Sequence, residues 1–169
     1  MKSYLLMSEE TPVSAQEFNV ELSFREGRAS DEPSVRRILS ESNLSFRAYS
    51  KVAVTAVNLI GSTRVHLLEM NSEVLGVLQW RDLGEEVEIL DVAVPMDRRR
   101  RGFGLGLLRG FVVFAGDRGV RQIFLEVRES NEAAVGLYRK VGFSPTGRRP
   151  NYYQQPQEAA LLFHLKIRG

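Results

Sequence analysis

The sequence predicts a mixed α/β fold of the α+β kind: a mostly antiparallel sheet with a central parallel strand pair and flanking helices. Three observations carry that prediction. Residues 65–70, 74–80 and 87–94 are short, largely apolar runs that read as strands. Only Asn71-Ser72-Glu73 and a turn around Asp82-Leu83-Gly84 separate them, so they form an antiparallel meander. After residue 94 the pattern changes to helix, strand, helix, strand, and a strand reached through a helix lies parallel to its neighbour. Between the two patterns lies RRRRGFGLG, residues 98–106, a basic, glycine-rich turn where a strand hands over to a helix.

The elements follow in order. Residues 1–17 mix Ser, Glu, Thr, Pro and Gln without a sustained period and read as a mobile arm, which leaves 18–169 as a single domain. Residues 20–24 alternate apolar and polar side chains, as a half-buried strand does. Ser30 or Asp31 caps a following helix, with Pro33 in its first turn and Val35, Ile38 and Leu39 on one face. Residues 46–60 have helical length but many β-branched valines, so helix, strand and loop all stay open there. Leu108, Phe111, Val112 and Ala115 recur at helical spacing and define a helix that stops within 116–119. Residues 123–127 are the next strand. Residues 131–140 are a second helix, closed by a left-handed Gly142 with Phe143 packing back, and 160–167 a final apolar strand.

Composition narrows the function classes. The chain of 169 residues is 43% apolar and 26% charged, as ordinary globular proteins are, and no apolar run approaches the ~20 residues of a membrane span. The apolar patch at 4–7 is too short for a secretory leader and is followed by Ser8-Glu9-Glu10. With no cysteine there is no disulfide, thiolate nucleophile or cysteine metal site, and the cytoplasm is the expected compartment. His66 and His164 lie too far apart for a paired metal motif; both read as structural, and no metal is expected. Residues 98–169 hold 14 of the 23 Lys/Arg but only 5 of the 21 Asp/Glu. That excess suits a polyanionic ligand at a local site, whereas a net charge of +2 is too mild to call for nucleic acid.

The glycine-rich turn supplies such a site. Glycines let the main chain approach a ligand, and the N-H groups and positive end of the following helix favour anions. The segment DVAVPMDRRRRGFGLGLL, followed by LEVRESNEAAVGLYRKVGF, resembles the GNAT superfamily of acyl-CoA-dependent N-acyltransferases over roughly the last half of the chain. The superfamily's phosphate motif stands here as Arg99, Arg100, Arg101, Gly102, Phe103 and Gly104. LEVRESNEAAVGLY and RRPNYY look most like the bacterial ribosomal-protein alanine N-acetyltransferases. The resemblance implies a GNAT fold in which the main chain at Val92, Ala93 and Val94 pairs with the pantetheine arm of acetyl-CoA. Amides from Arg100 to Leu105 would hold its pyrophosphate. Leu105 stands where relatives often carry a basic residue, a change that backbone recognition tolerates.

The same resemblance implies the chemistry. Glu126 matches the general base and Tyr138, twelve residues later, the general acid. Attack on a thioester needs a neutral amine, and an α-amine of pKa ~8 needs less help than a lysine of ~10.4. The carboxylate takes the proton and the phenol protonates the departing thiolate. Asn131 and Tyr138 are seven residues apart and share a helix face. By resemblance Asn131 contacts the coenzyme, and its position equally suits a helix N-cap. Tyr152 and Tyr153 fall in an expected loop before the last strand, where relatives hold the acceptor peptide; ordinary strand packing is the other reading. The implied activity is acetyl transfer from acetyl-CoA to a primary amine by direct attack in a ternary complex. A protein N-terminal α-amino group is the leading acceptor and a small amine the runner-up, with the chain acting as monomer or homodimer.

Competing readings have their own signatures. Glu126 could pair with Arg128, its same-face neighbour. A dinucleotide oxidoreductase would need its third glycine at Leu107 and parallel strands before Gly102. A nucleic-acid module would use Arg98 to Arg101, Arg148 and Arg149 with stacking from Tyr152 and Tyr153. A degenerate domain would bind acyl-CoA without turnover.

Overall fold

The computed structural model describes residues 22–41 and 63–167. The expected arm over 1–17, the start of the first strand and the undecided stretch 46–60 lie outside the described residues. Within them the order is β1 (Leu22–Glu26), α1 (Glu32–Glu41), β2 (Thr63–Met70), β3 (Glu73–Asp82) and β4 (Glu86–Ala93). Then come α2 (Phe103–Asp117), β5 (Gln122–Arg128), α3 (Glu132–Val141), β6 (Ser144–Gln154) and β7 (Gln157–Lys166). The strands form one seven-stranded sheet in the order β1-β2-β3-β4-β5-β7-β6. β4 and β5 are parallel and every other neighbouring pair is antiparallel.

The meander forms because its turns suit tight reversal. Asn71 and Ser72 both take positive φ, 49° and 66°, which matches the twist of the flanking strands. Side-chain alternation then sorts the sheet into two faces. Val65, Leu67, Val77 and Ala93 meet Val35, Ile38 and Leu39 of α1 on one face. Leu78, Trp80, Val87, Ile89, Ile123, Leu125 and Phe163 meet Leu107, Leu108, Phe111 and Ala115 of α2 and Val135 and Tyr138 of α3 on the other. The α1 helix carries the expected apolar face. Asp31 is spent elsewhere: its carboxylate accepts the Arg28 N-H at 2.7 Å and the Arg25 guanidinium at 2.7 and 2.9 Å.

One expectation changes. Tyr152 and Tyr153 sit in β6, an edge strand paired with β7, and not in a loop. Pro145, Gly147 and Pro150 hid the strand in the sequence, yet an outer strand tolerates proline because one side of its backbone has no ladder to serve. The register breaks between Arg149 and Tyr153 absorb the irregularity. Both histidines are built into the structure, as expected. His66 is 1% exposed, its Nδ1 accepts the Trp80 Nε1-H at 3.0 Å, and Phe24 stacks on it. His164 stacks on Phe124 and bonds Gln122.

One irregularity positions everything that follows. Gln79 lies opposite Asp91 but Trp80 lies opposite Ile89, so Leu90 is an extra residue in β4 and the strand bulges there. Pairing between β4 and β5 ends at the same level, with Ile89 beside Leu125. Beyond it β4 stays with β3 as far as Ala93, and β5 stays with β7 as far as Arg128. The parallel pair thus opens into a fork whose inner backbone edges face each other.

Candidate active site in the β4–β5 fork

The floor of the fork is the loop from β4 to α2. Arg99 donates from Nε to the Val94 carbonyl at 3.0 Å, folding the loop back on the strand it leaves. Arg100 and Gly102 take positive φ, 62° and 85°. Such turns aim successive N-H groups into one concavity, an arrangement that binds anions. The backbone ladder of α2 starts with the Gly106 N-H on the Gly102 carbonyl at 2.9 Å. The N-H groups of Phe103, Gly104 and Leu105 precede it at the open, electropositive end of the helix.

The two glycines do different work. A Cβ on Gly102 would meet open space, so its conformation demands glycine. A Cβ on Gly104 would come within 3.2 Å of Leu137 Cδ2, so close packing of α2 on α3 demands it. An anion fits this cradle, since the first N-H groups of α2 have no intrahelical partner and nothing lies within 4 Å of the Cβ position at Gly102. The neighbouring arginines are partly engaged: Arg98 pairs with Glu73 at 2.8 Å, while Arg100 and Arg101 stand exposed.

Asn131, Tyr138 and Phe143 belong to one local device. The Asn131 side chain accepts the Ala134 N-H at 3.1 Å, which makes it the N-cap of α3. The helix ends in a Schellman motif at Gly142, φ 107°, with the Gly142 N-H on the Arg139 carbonyl and the Phe143 N-H on the Tyr138 carbonyl. The Tyr138 ring is thereby fixed against Phe143 and Phe163. It is 7% exposed. Burial pushes its phenol above the ordinary range, and the Asp91 carboxylate and the neighbouring Tyr153 push the same way, so the proton stays on at neutral pH.

Glu126 is the first residue of β5 past the end of the parallel pairing. Leu125 and Val127 face α2 and α3, so Glu126 points to the other face of the sheet. There Arg149 Nη1 of β6 pairs with it at 2.6 Å. The Tyr152 hydroxyl donates to it as well, and this bond is the main reason the phenol is pushed up to about 12. Arg128 has another station. It pairs with Glu158 at 3.1 Å and lies 4.0 Å over the Tyr153 ring.

The fork therefore brings together Val92, Ala93 and Val94 on one side, Glu126 on the other, the anion cradle below and Tyr138 behind. Tyr152 and Tyr153 approach from β6. Two residues of the fork were missed in the sequence: Arg149, read only as part of a basic pair, and Asp91. The signal for Asp91 was present, because it is the lone charged residue in the run 89–94 of β4, where a carboxylate is expensive. It is half-buried, and burial raises its carboxyl to about 7 against the pull of the Val92 N-H.

The rival arrangements lose their basis in this geometry. The strands before Gly102 are antiparallel, unlike a dinucleotide-binding unit. Arg148 and Arg149 are committed to Glu129 and Glu126, at 2.7 and 2.6 Å, and do not form an open basic face with the first cluster. Among the described residues no three metal-type side chains converge, and no helix is long and apolar enough to cross a membrane.

Comparison with known proteins reaches the same place. The model of the acetyltransferase (GNAT) family matches residues 33–143, which contain the cradle, the fork, Glu126 and Tyr138. The chain belongs to the GNAT family. Among curated relatives of this GNAT chain, a [ribosomal protein bS18]-alanine N-acetyltransferase of Salmonella typhimurium is 40% identical over 85 residues, 49% of this chain and 57% of the relative. A putative enzyme of the same name from Bacillus subtilis is 36% identical over 83 residues, 49% of this chain and 55% of the relative. The chain spans little more than half the length of these relatives. The solved ribosomal-protein-S18-alanine N-acetyltransferase of Escherichia coli superposes with a TM-score of 0.76 at 26% identity, covering 88% of this chain and 96% of that one.

Proposed function

We propose that this GNAT chain transfers an acetyl group from acetyl-CoA to a primary amine, and that the acceptor is the N-terminal α-amino group of a protein. The observation that carries the reading is the fork, which aligns an anion cradle with a carboxylate and a phenol. Bound acetyl-CoA supplies an activated acyl carbon. The N-H groups at the start of α2 would bind its diphosphate, and the inner edge of β4 at Val92, Ala93 and Val94 would hydrogen-bond its arm as a neighbouring strand does. Glu126 receives the acceptor's amine and Tyr138 faces the departing sulfur. Asn131 would add a contact from the N-cap of α3.

The acceptor reading rests on chemistry and on the relatives. An α-amine of pKa ~8 is partly neutral at physiological pH, so a carboxylate suffices to complete its deprotonation. Tyr152 and Tyr153 offer rigid contact area beside Glu126, where a peptide following the amine would run. We place the enzyme in the cytoplasm, where the relatives' ribosomal-protein substrates are made. Acetyl-CoA turnover with peptides bearing a free N-terminal alanine, set against polyamines and aminoglycosides, tests the proposal. Peptide acetylation is expected; turnover of the small amines alone would make this a small-molecule acetyltransferase.

A further inference from the structure

Asp91 occupies a position that the assigned roles do not use. It lies opposite Gln79, in the stretch where Leu78 and Val92 face α2 and α3 while Val77 and Ala93 face α1. Directly opposed residues of an antiparallel pair share a face, so Asp91 points to the α1 side. Glu126 points to that side as well, from the other arm of the fork. The bulge at Leu90 is what brings Asp91 there: in an unbroken register the two-residue repeat from Val87 and Ile89 would turn position 91 toward α2. Tyr138 approaches from the opposite face, yet its phenol lies close enough to feel the charge of Asp91. Two carboxylates thus point to one side of the sheet from the two arms of the fork, and the phenol of Tyr138 interacts with one of them, Asp91.

The two carboxylates differ in what already holds them. Glu126 carries the Arg149 guanidinium and the Tyr152 hydroxyl, contacts that an incoming amine has to share. The carboxyl of Asp91 has burial working against its charge and the Val92 N-H working for it. Its charge acts on Tyr138 of α3, which Tyr153 also neighbours, and uncharged Gln79 lies opposite on β3, while Glu126 with its partner Arg149 stands on the other arm of the fork.

We propose that Asp91 is a second catalytic carboxylate, which takes the proton released by the acceptor amine and, by becoming neutral, turns Tyr138 into a better acid. The inference rests on the acetyl-transfer reading above. As the amine nitrogen bonds the acyl carbon, its N-H bond breaks and an O-H bond forms on Asp91. Neutralised Asp91 no longer suppresses ionisation of the neighbouring phenol. The C-S bond breaks with its electron pair on sulfur, and the thiolate takes the proton of Tyr138. The proton on Asp91 then passes to the phenolate, which restores both groups. One proton leaves nitrogen, one arrives on sulfur, and no outside acid or base is consumed.

Asp91→Asn and Glu126→Gln separate this role from a structural one. Replacing Asp91 by Asn is expected to lower kcat about 100-fold or more, in the range of general acid-base groups. CoA affinity, measured by calorimetry, is expected to hold, and the variant is expected to be no less stable than the parent at any pH. The kcat profile of the unaltered enzyme should carry an acidic limb near pH 7 that the variant lacks. In the protein alone, carbon-detected NMR should show the Asp91 carboxyl titrating near that pH. An Asp91→Asn enzyme with unchanged kcat and the same acidic limb, beside an impaired Glu126→Gln enzyme, overturns this inference and leaves acetyl transfer intact. An unaltered chain that fails to bind CoA overturns the acetyl-transfer reading itself.

Discussion

The Tyr138 carbonyl accepts the Phe143 N-H at 3.1 Å while their two rings meet edge to face with centroids 5.9 Å apart. One hinge residue, Gly142 at φ 107°, makes both contacts attainable. The cap of α3 and the placement of the proposed acid are thus a single structural fact. Gly142→Ala forces a side chain into the left-handed region, at a cost of about 1–2 kcal/mol, although the added Cβ would meet Leu165 only at an ordinary 3.5 Å. Urea unfolding should show that loss, and kcat should fall with it because Tyr138 shifts. A variant as stable and as active as the parent would uncouple the cap from the phenol.

Two glycines of α2 and its entry loop should respond in opposite ways. Gly110→Ala gains about 1 kcal/mol of helix propensity. It also drives a Cβ to 2.9 Å from the Phe24 ring, which is itself stacked on His66. Overpacking of that kind costs about 1–3 kcal/mol, so a net loss of stability with CoA affinity kept is expected. Gly102→Ala meets open space but keeps a strained φ of 85°. It should weaken CoA binding at least tenfold, read by calorimetry, because relaxing that φ turns the N-H groups out of the cradle. Equal effects of the two substitutions on CoA would remove the distinction.

Asn131 has a demonstrated cap and a proposed ligand contact, and two substitutions tell them apart. Asn131→Asp keeps an oxygen for the Ala134 N-H and loses the amide donor. Stability should then hold within about 0.5 kcal/mol while CoA affinity drops, whereas Asn131→Ala should cost about 1 kcal/mol of stability as well. CoA affinity unchanged in the Asp variant would leave Asn131 with the cap alone.

Asp91 and His66 set opposing pH dependences. Burial lowers His66 to about 4 from 6.5. Between those values the unfolded chain binds the extra proton, so His66 favours folding fully above pH 6.5 and progressively less as pH falls toward 4. Asp91 rises from 3.8 to about 7, so the folded chain binds the extra proton between them and stability declines as pH rises across that span. Asp91→Asn should therefore match the parent near pH 4 and exceed it by about 3 kcal/mol above pH 7, a figure discounted for the solvent that reaches a half-buried carboxyl. With the opposing slope gone, the variant should gain about 3 kcal/mol from pH 4 to 6.5 through His66. Urea titrations across that range check both, and parallel curves for parent and variant would refute the Asp91 half.

Much of the site was legible before folding was considered. The order of meander, glycine turn, helix, strand, helix was written in periodicity and turn chemistry. Those are local properties: Asn131 sits ahead of a helical run and Gly142 behind it, and each does what its own backbone preference dictates. The strand β6 was hidden because an edge strand is defined by its neighbour. Pro145 and Pro150 argue against a strand until β7 is present to pair with the remaining backbone groups.

The family resemblance pointed to Glu126 and Tyr138 as the proposed base and acid, and the glycine turn pointed to an anion cradle at Gly102. Which partners those groups keep was settled in three dimensions. Arg149 reaches Glu126 through the pairing of β5, β7 and β6, and Asp91 reaches the same face through one extra residue in β4. Register and burial are relations between segments distant in the chain, and a one-residue bulge reverses which face a carboxylate occupies without changing its spacing to anything nearby.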